Sequence, residues 1–416
     1  MVASGDVIVL RLSVAFLTVL ALAGLLGVSS GCGGSQDNQP VRIGTLLDYT
    51  GDLATFGPPM RNGADLAAEL LNDAGGVLGQ PVRAVHRDSG TSQQVAMEAA
   101  RAQVNAQGIK AIVGSLSSGV TLAVAQAVTV PNQVVMVSPA STSPALTALN
   151  DNGFLFRTVV SDSAQGIVLA RLANELGYKT ASVIYVNNPY GEGLATVFKN
   201  SFEQQGGKVL AMVPQESGQA TYVSELRRAT EGRPDVLVAA SYPESAGVYL
   251  REAIEGGFAQ KFLFSDGTKS QEMFDRLGAD RFNGFYGTAA GTPDSNAGQI
   301  FRQMFEERFG QLPTNPYIGE TFDAFVLLAL ATQKAGKYDG PAIRDAIRDV
   351  ANAPGEKVGP GDLKKALSLL RDGKDIDYEG VAGSQSIDGN GDVRNTIEVW
   401  KIEGGSIKST GRFESP

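Results

Sequence analysis

Residues 111–138 read AIVGSLSSGVTLAVAQAVTVPNQVVMVS. AIVGS is a short apolar, partly β-branched run that stops at Gly114. SSGVTLAVAQAV has helical character, and VVMVS is a second short apolar run. A strand, a helix and a strand in succession predict two parallel strands joined by a crossover helix. The pattern extends upstream. VRIGTLLD (41–48) precedes RNGADLAAELLNDAGG (61–76), an amphipathic run stopped by two glycines. PVRAVHRD (81–88) precedes SQQVAMEAARAQVNAQG (92–108). After FLFRTVVSD (154–162) the alternation starts again and runs through TASVIYV (180–186), KVLAMVP (208–214), DVLVAAS (235–241) and KFLFSD (261–266), with a helix between each pair. The expected fold is α/β: two doubly wound parallel-sheet lobes, with the chain crossing near Val160.

The chain then returns. GFYGTAAG (284–291) reads as a strand, residues 297–309 and 318–335 as long helices, and SQSIDGNGDVRNTIEVWKIEGG (384–405) as two strands around a turn. Several crossings between lobes make a multi-strand hinge. The expected division is residues 41–160 with 290–380 for the first lobe and 161–289 with 381–412 for the second, after a signal segment (1–31) and a linker (32–40).

Composition narrows the function. The chain has 416 residues and a formal net charge of −9, and no basic cluster interleaved with aromatics, which argues against nucleic-acid binding. One cysteine, Cys32, rules out an intrachain disulfide, and one histidine, His86, removes most metal sites and nearly all His-dependent catalysis. The expectation is therefore no enzyme, no cofactor and no metal. At the N-terminus, Arg11 precedes the apolar run LSVAFLTVLALAGLLGV (12–28), then SSGC (29–32) and a polar linker. Charge, apolar core and small-residue cleavage site form an export signal. Cleavage before Cys32 would free a cysteine for lipid attachment and tether the protein to a membrane, as in bacterial lipoproteins, although Ser29 stands where that signal usually has an aliphatic residue. A plain secretory signal or an uncleaved anchor helix are the other readings of the same segment.

In open α/β sheets, ligands sit beyond the carboxyl ends of the strands, so the loops after each strand carry the functional information. GSLSSGVT (114–121) opens a helix whose first N–H groups suit a carboxylate, with Ser117 or Ser118 as cap. VSPASTSPALT (137–147) places Ala140, Ser141 and Thr142 between two prolines, where small residues leave the backbone bare for a small polar ligand; a proline-shaped connector is the alternative. FSDGTKS (264–270) puts Asp266 at a strand end, as a partner for a cation across the cleft or as a helix cap. NNPYGEG (187–193) and ASYPES (239–245) present Tyr190 and Tyr242, and YTGDLATFG (49–57) presents Phe56. GEGLAT (191–196) lacks the third glycine of a dinucleotide loop, and Glu192 would repel a pyrophosphate. DGNGD (388–392) resembles part of a calcium loop but has Val393 and Val399 where that loop needs glycine and glutamate, and reads as a hairpin turn.

Several of these motifs occur together and in order: YTGDLATFGPPMRNGADLAAELLNDAGGVLG, IVGSLSSGVTLAVAQ, SPASTSPALT, FRTVVSDSAQG, NNPYGEGLA and FSDG. From about Val41 to Thr410 the chain resembles the type I periplasmic solute-binding proteins of branched-chain amino acid uptake, the leucine/isoleucine/valine-binding proteins. The resemblance implies that Ser118, Ala140 and Thr142 grip a ligand carboxylate, that Asp266 meets its ammonium and that Tyr190 and Tyr242 cover its side chain. It departs at Phe56, where the family commonly has tyrosine, and at Asp266, where leucine-type members usually have glutamate. It further implies a periplasmic, membrane-anchored binding protein that closes on a small molecule, an amino acid, and partners the permease subunits of an ABC importer. A sensor passing its state to a separate signalling partner, or a binder of an amide, urea or small carboxylate, is the alternative.

Overall fold

The computed structural model describes residues 39–291 and 293–416. The signal-like segment and Cys32 lie outside the described residues. The first sheet contains β1 (Val41–Leu47), β2 (Val82–Asp88), β3 (Ala111–Gly114), β4 (Val135–Ser138) and β5 (Leu155–Arg157), all parallel, in the order β2-β1-β3-β4-β5. β3, β4 and β5 are buried at every residue, which explains their unbroken apolar runs. β6 (Thr180–Val186), β7 (Lys208–Gln215), β8 (Val236–Ala240), β9 (Phe262–Phe264) and β10 (Tyr286–Ala290) repeat the same parallel order, β7-β6-β8-β9-β10. The strand order thus reverses between β1 and β3 in one lobe and between β6 and β8 in the other. The loops leaving those strands diverge there and open a crevice.

A small sheet of β11 (Glu356–Val358), β12 (Ile376–Gly380) and β13 (Gly383–Ser384), not foreseen in the sequence, packs on the first lobe. β14 (Ile397–Glu403) and β15 (Ser406–Glu414) then add an antiparallel hairpin to the edge of the second sheet beside β10. The expected pair of strands around residues 388–392 is corrected here. That turn closes only a single bridge, Ile387 to Val393, and the true hairpin turns one strand later, at Gly404 and Gly405. Both glycines have positive φ, the conformation a tight hairpin needs.

Two packing features hold the crevice in place. The helix Ile318–Ala335 is buried on nearly every side, against the helices Gly57–Asp73 and Gly340–Ala351 and the first sheet. In the second lobe Trp400 stacks on Phe264 at 5.9 Å between ring centres, with Phe274 and Phe282 around them. This cluster backs the strand that ends just before Asp266.

Arg157, at the end of β5, is 1% exposed. Its guanidinium takes Asp392 in a two-pronged pair at 2.6 and 2.8 Å and also donates to Thr147 Oγ1 at 2.7 Å, Ser143 O at 3.0 Å and Ser141 O at 3.3 Å. One cation thereby pins the small-residue loop after β4 to the turn before β14. It also explains the calcium-like residues: Asp388 Oδ1 accepts from the amides of Asn390 and Asp392 inside the turn, and Asp392 is committed to Arg157. Asp392→Ala would leave the guanidinium buried without its counter-charge, and the expected cost is roughly 3–5 kcal/mol. Urea unfolding measures this; a loss below about 1 kcal/mol, the scale of a surface pair, would show that the pair is not structural.

Candidate functional site

The loops after β1, β3 and β4 in one lobe and after β6, β8 and β9 in the other meet across the crevice. Five of the residues expected at the site, Phe56, Ala140, Tyr190, Tyr242 and Asp266, line one cavity with Leu53, Leu116, Gly267 and Tyr317. Its volume is about 10 Å³, room for about one water molecule. The lobes are drawn together around it. Tyr242 donates to Ser117 Oγ at 3.1 Å, Ser143 Oγ donates to Pro189 O at 2.7 Å and Ser245 donates to Asp52. Gly267 is required at this seam, because a Cβ there would lie 2.5 Å from Ser241 O and 2.7 Å from Tyr190 Oη.

Asp266 is the hub. It is 1% exposed and accepts hydrogen bonds from Tyr190 Oη at 2.7 Å, Gln165 Nε2 at 2.9 Å and Tyr317 Oη. Tyr317 comes from the first lobe, so this contact crosses the seam. Burial and then the charge of Asp266 push the phenols of Tyr190 and Tyr317 well up, which keeps them neutral donors. Tyr190 stacks on Tyr242 with ring centres 5.4 Å apart, and Phe56 and Tyr317 form a T-shaped pair with ring centres 6.1 Å apart.

Ser118, Ser141 and Thr142 are buried but lie outside the cavity lining, and protein atoms occupy their hydroxyls. Ser117 is the residue at the N-cap, yet its side chain makes no capping bond; it accepts from Tyr242 instead. Ser118 Oγ accepts from the Ser143 amide at 3.3 Å. Ser141 Oγ lies 2.7 Å from Thr121 Oγ1 and 3.0 Å from Leu116 O, joining the loops after β3 and β4. Thr142 Oγ1 donates to Asp162 Oδ2 across the seam at 2.9 Å. The amide of Ala140 reaches only Ser138 Oγ, at a long 3.4 Å. GEGLAT lies inside the helix Pro189–Gln204, and Asn188 Oδ1 caps that helix by accepting from Tyr190 and Gly191.

Sequence reasoning passed over Tyr317, Asp162 and Gln165. Tyr317 precedes a helix and follows no strand, so a search of loops after strands does not reach it. Its φ of 75° marks it in the structure, since a bulky residue there is held by its surroundings, often at a functional site. Asp162 and Gln165 begin the helix Asp162–Glu175 in a stretch that looks like an ordinary helix start. Asp162 is fully buried and its Oδ1 has no hydrogen-bond partner, as is also true of Gln165 Oε1. Burial, and next the charge of Asp266, hold the Asp162 carboxyl well above the usual range. Two acids and two orphaned acceptor oxygens thus share one dry seam, a setting that favours a cation or a retained proton. Asp48, after β1, anchors the neighbouring loop by accepting from the Thr91 amide at 2.7 Å, and burial raises it to about 6. His86 lies away from the seam, between Asp65 and Thr45 at 2.8 and 2.7 Å. Among the described residues no group of three or more His, Cys, Asp or Glu is arranged to hold a metal ion.

Comparison with known proteins agrees with this architecture. A Halobacterium salinarum protein named as the substrate-binding protein of a chemotactic signal transduction system is 28% identical over 354 residues, 83% of each chain. A Pseudomonas aeruginosa protein named for binding leucine, isoleucine, valine, threonine and alanine is 28% identical over 333 residues, 78% of this chain and 87% of that one. The crystal structure of a leucine-binding protein from Thermotoga maritima matches with a TM-score of 0.77 at 26% identity, covering 90% of this chain and 99% of that chain. Residues 40–364 match the family described as periplasmic binding protein, a span that takes in both parallel sheets and every loop at the seam. The chain is therefore a member of the periplasmic binding protein family, with the type I fold.

Proposed function

We propose that this protein is an extracytoplasmic solute-binding lipoprotein, tethered through Cys32, that binds an amino acid between its lobes and delivers it to the permease of an ABC importer. The observation that carries the reading is Asp266, a buried acid at the seam, opposite the bare loop around Ala140 and beside an aromatic wall. The names of relatives that bind branched-chain and small amino acids support it. In this reading residues 41–160 and 290–380 form the first lobe, and residues 161–289, which carry nearly all of β10, form the second with 381–412. The first lobe takes the ligand carboxylate at the helix start after β3 and at Ala140, with Ser118, Ser141 and Thr142 shaping that pocket. The second lobe brings Asp266 to the ammonium and Tyr190 and Tyr242 to the side chain, while Phe56 offers an apolar contact only.

Entry of a ligand requires the bonds across the seam to part, and reclosure restores them around the ligand with water excluded, which strengthens each polar contact. Asp is one methylene shorter than Glu, so the ammonium must come closer or meet it through a water. A sensing role is the second reading, favoured by the chemotactic relative, which aligns with 83% of this chain. A ligand that alters docking to a signalling partner without driving uptake would support it.

Isothermal titration of the purified protein with the standard amino acids tests the main reading. Asp266→Asn is expected to weaken the best ligand by at least about tenfold, since a hydrogen bond to a charged group contributes roughly 1.5–3 kcal/mol. Unchanged affinity would remove Asp266 from the ammonium site.

A second expectation concerns pH. Folding raises the pKa of Asp162, so the folded chain keeps a proton that the unfolded chain releases above about pH 4. The resulting contribution to stability is full below that pH and is lost as pH rises through the folded value. Asp162→Asn should therefore show a smaller fall in Tm than the unaltered protein on going from about pH 5 to about pH 8. Equal falls, measured by circular dichroism, would mean that Asp162 is already ionised in the folded protein.

A further inference from the structure

A second cavity, of about 750 Å³, adjoins the seam at Tyr317. Tyr317 and Asp266 meet in the first site; Glu320, one helical turn beyond Tyr317, and Lys269, three residues beyond Asp266, line the second. The two sites therefore adjoin, sharing Tyr317 in their walls, and both are built from both lobes. The volume is within the range of small-molecule sites, about 300–1,000 Å³.

Lys269 and Arg302 face Asp294, Glu320 and Glu398 in the lining of this cavity, so its acids outnumber its bases by one. Lys269 and Glu398, each 8% exposed, pair at 2.6 Å. Glu320 is also 8% exposed, and apart from its own backbone amide its carboxylate has no hydrogen-bond or ion-pair partner among the described residues. An acid in the first turn of a helix ordinarily has the favourable partial charge of the helix and free access to water. Glu320 has the first, but the residue as a whole is largely buried. Burial pushes it to about 7, with the charge of Asp323 adding to that and Lys269 opposing it. Burial makes the ionised form of Glu320 costly, and a cationic group brought against it would offset that cost. Phe301, Leu312 and Phe413 supply apolar wall nearby.

We propose that this cavity is a second binding site, for an organic monocation whose ammonium or amidinium group sits against Glu320 and whose apolar body lies along Phe301, Leu312 and Phe413. Because both lobes contribute to its walls, an occupant stabilises the closed arrangement and couples this site to the seam. The site stands independently of which solute the seam takes.

The test is calorimetric, on the whole purified protein, with phenethylammonium as probe and 2-phenylethanol as its uncharged counterpart. The unaltered protein should bind the cation at least about tenfold more tightly than the alcohol. Glu320→Gln should bring the two to within about twofold of each other, with the far-UV spectrum unchanged. Ser409→Phe, on the exposed edge strand at the cavity wall, should weaken both probes without touching Glu320. Asp266→Asn, which disables the seam, should leave the preference for the cation intact. The proposal is overturned if neither probe binds the folded protein. It is equally overturned if the preference survives Glu320→Gln but disappears in Asp266→Asn, because the cation would then be sitting in the seam.

Discussion

The guanidinium of Arg157 sets the geometry on which the rest of the site depends. Its donors are divided between one carboxylate, one hydroxyl and two backbone carbonyls of the loop after β4. A loop of small residues and prolines has little side-chain packing of its own to hold it. The cation substitutes for that packing from below and leaves the upper face of the loop, at Ala140, bare. Because Asp392 comes from the segment leading into β14, the same contact ties the first lobe to the strand through which the chain passes to the edge of the second sheet. Replacing such a planar, multiply bonded cation with lysine would not preserve the arrangement, since an ammonium cannot serve a carboxylate in two prongs and two carbonyls at once.

At the seam the dominant physical fact is the exclusion of water from two acids. Asp266 has three donors, while Asp162 has one donor and one orphaned oxygen. Each acid is reached by a hydroxyl of the opposite lobe, Tyr317 for Asp266 and Thr142 for Asp162. Closing the lobes thus does two things together: it satisfies part of the buried charge and it removes the solvent that would otherwise dilute it. The phenols of Tyr190 and Tyr317 remain protonated because their ionisation would place further negative charge in the same dry space.

Much of this was legible from residue order. β-branched runs alternating with helical runs implied parallel sheets, and the rule that ligands sit beyond strand ends led to Phe56, Ala140, Tyr190, Tyr242 and Asp266, all of which face one cavity. The hydroxyl residues were placed in the right neighbourhood, but their bonding was not legible. Ser, Thr and Asp have several equivalent partners open to them, and only the fold decides between ligand, backbone and neighbour. Local composition at 388–392 favours a hairpin turn, yet the Asp392 carboxylate there serves Arg157, more than two hundred residues earlier in the chain.

The sequence by itself determined the two-lobed α/β architecture, the loops that form the rim and the chemistry available there, because hydrophobic period and turn composition are local properties of the chain. Only the tertiary structure decided that Tyr317 joins Asp266, that Asp162 stands beside it with an unpaired oxygen, and that Glu320 is buried beside the Lys269–Glu398 pair. Those relations depend on burial and on contacts between segments far apart in sequence. The dielectric surroundings of a carboxylate are set by everything packed around it, and no local pattern records them.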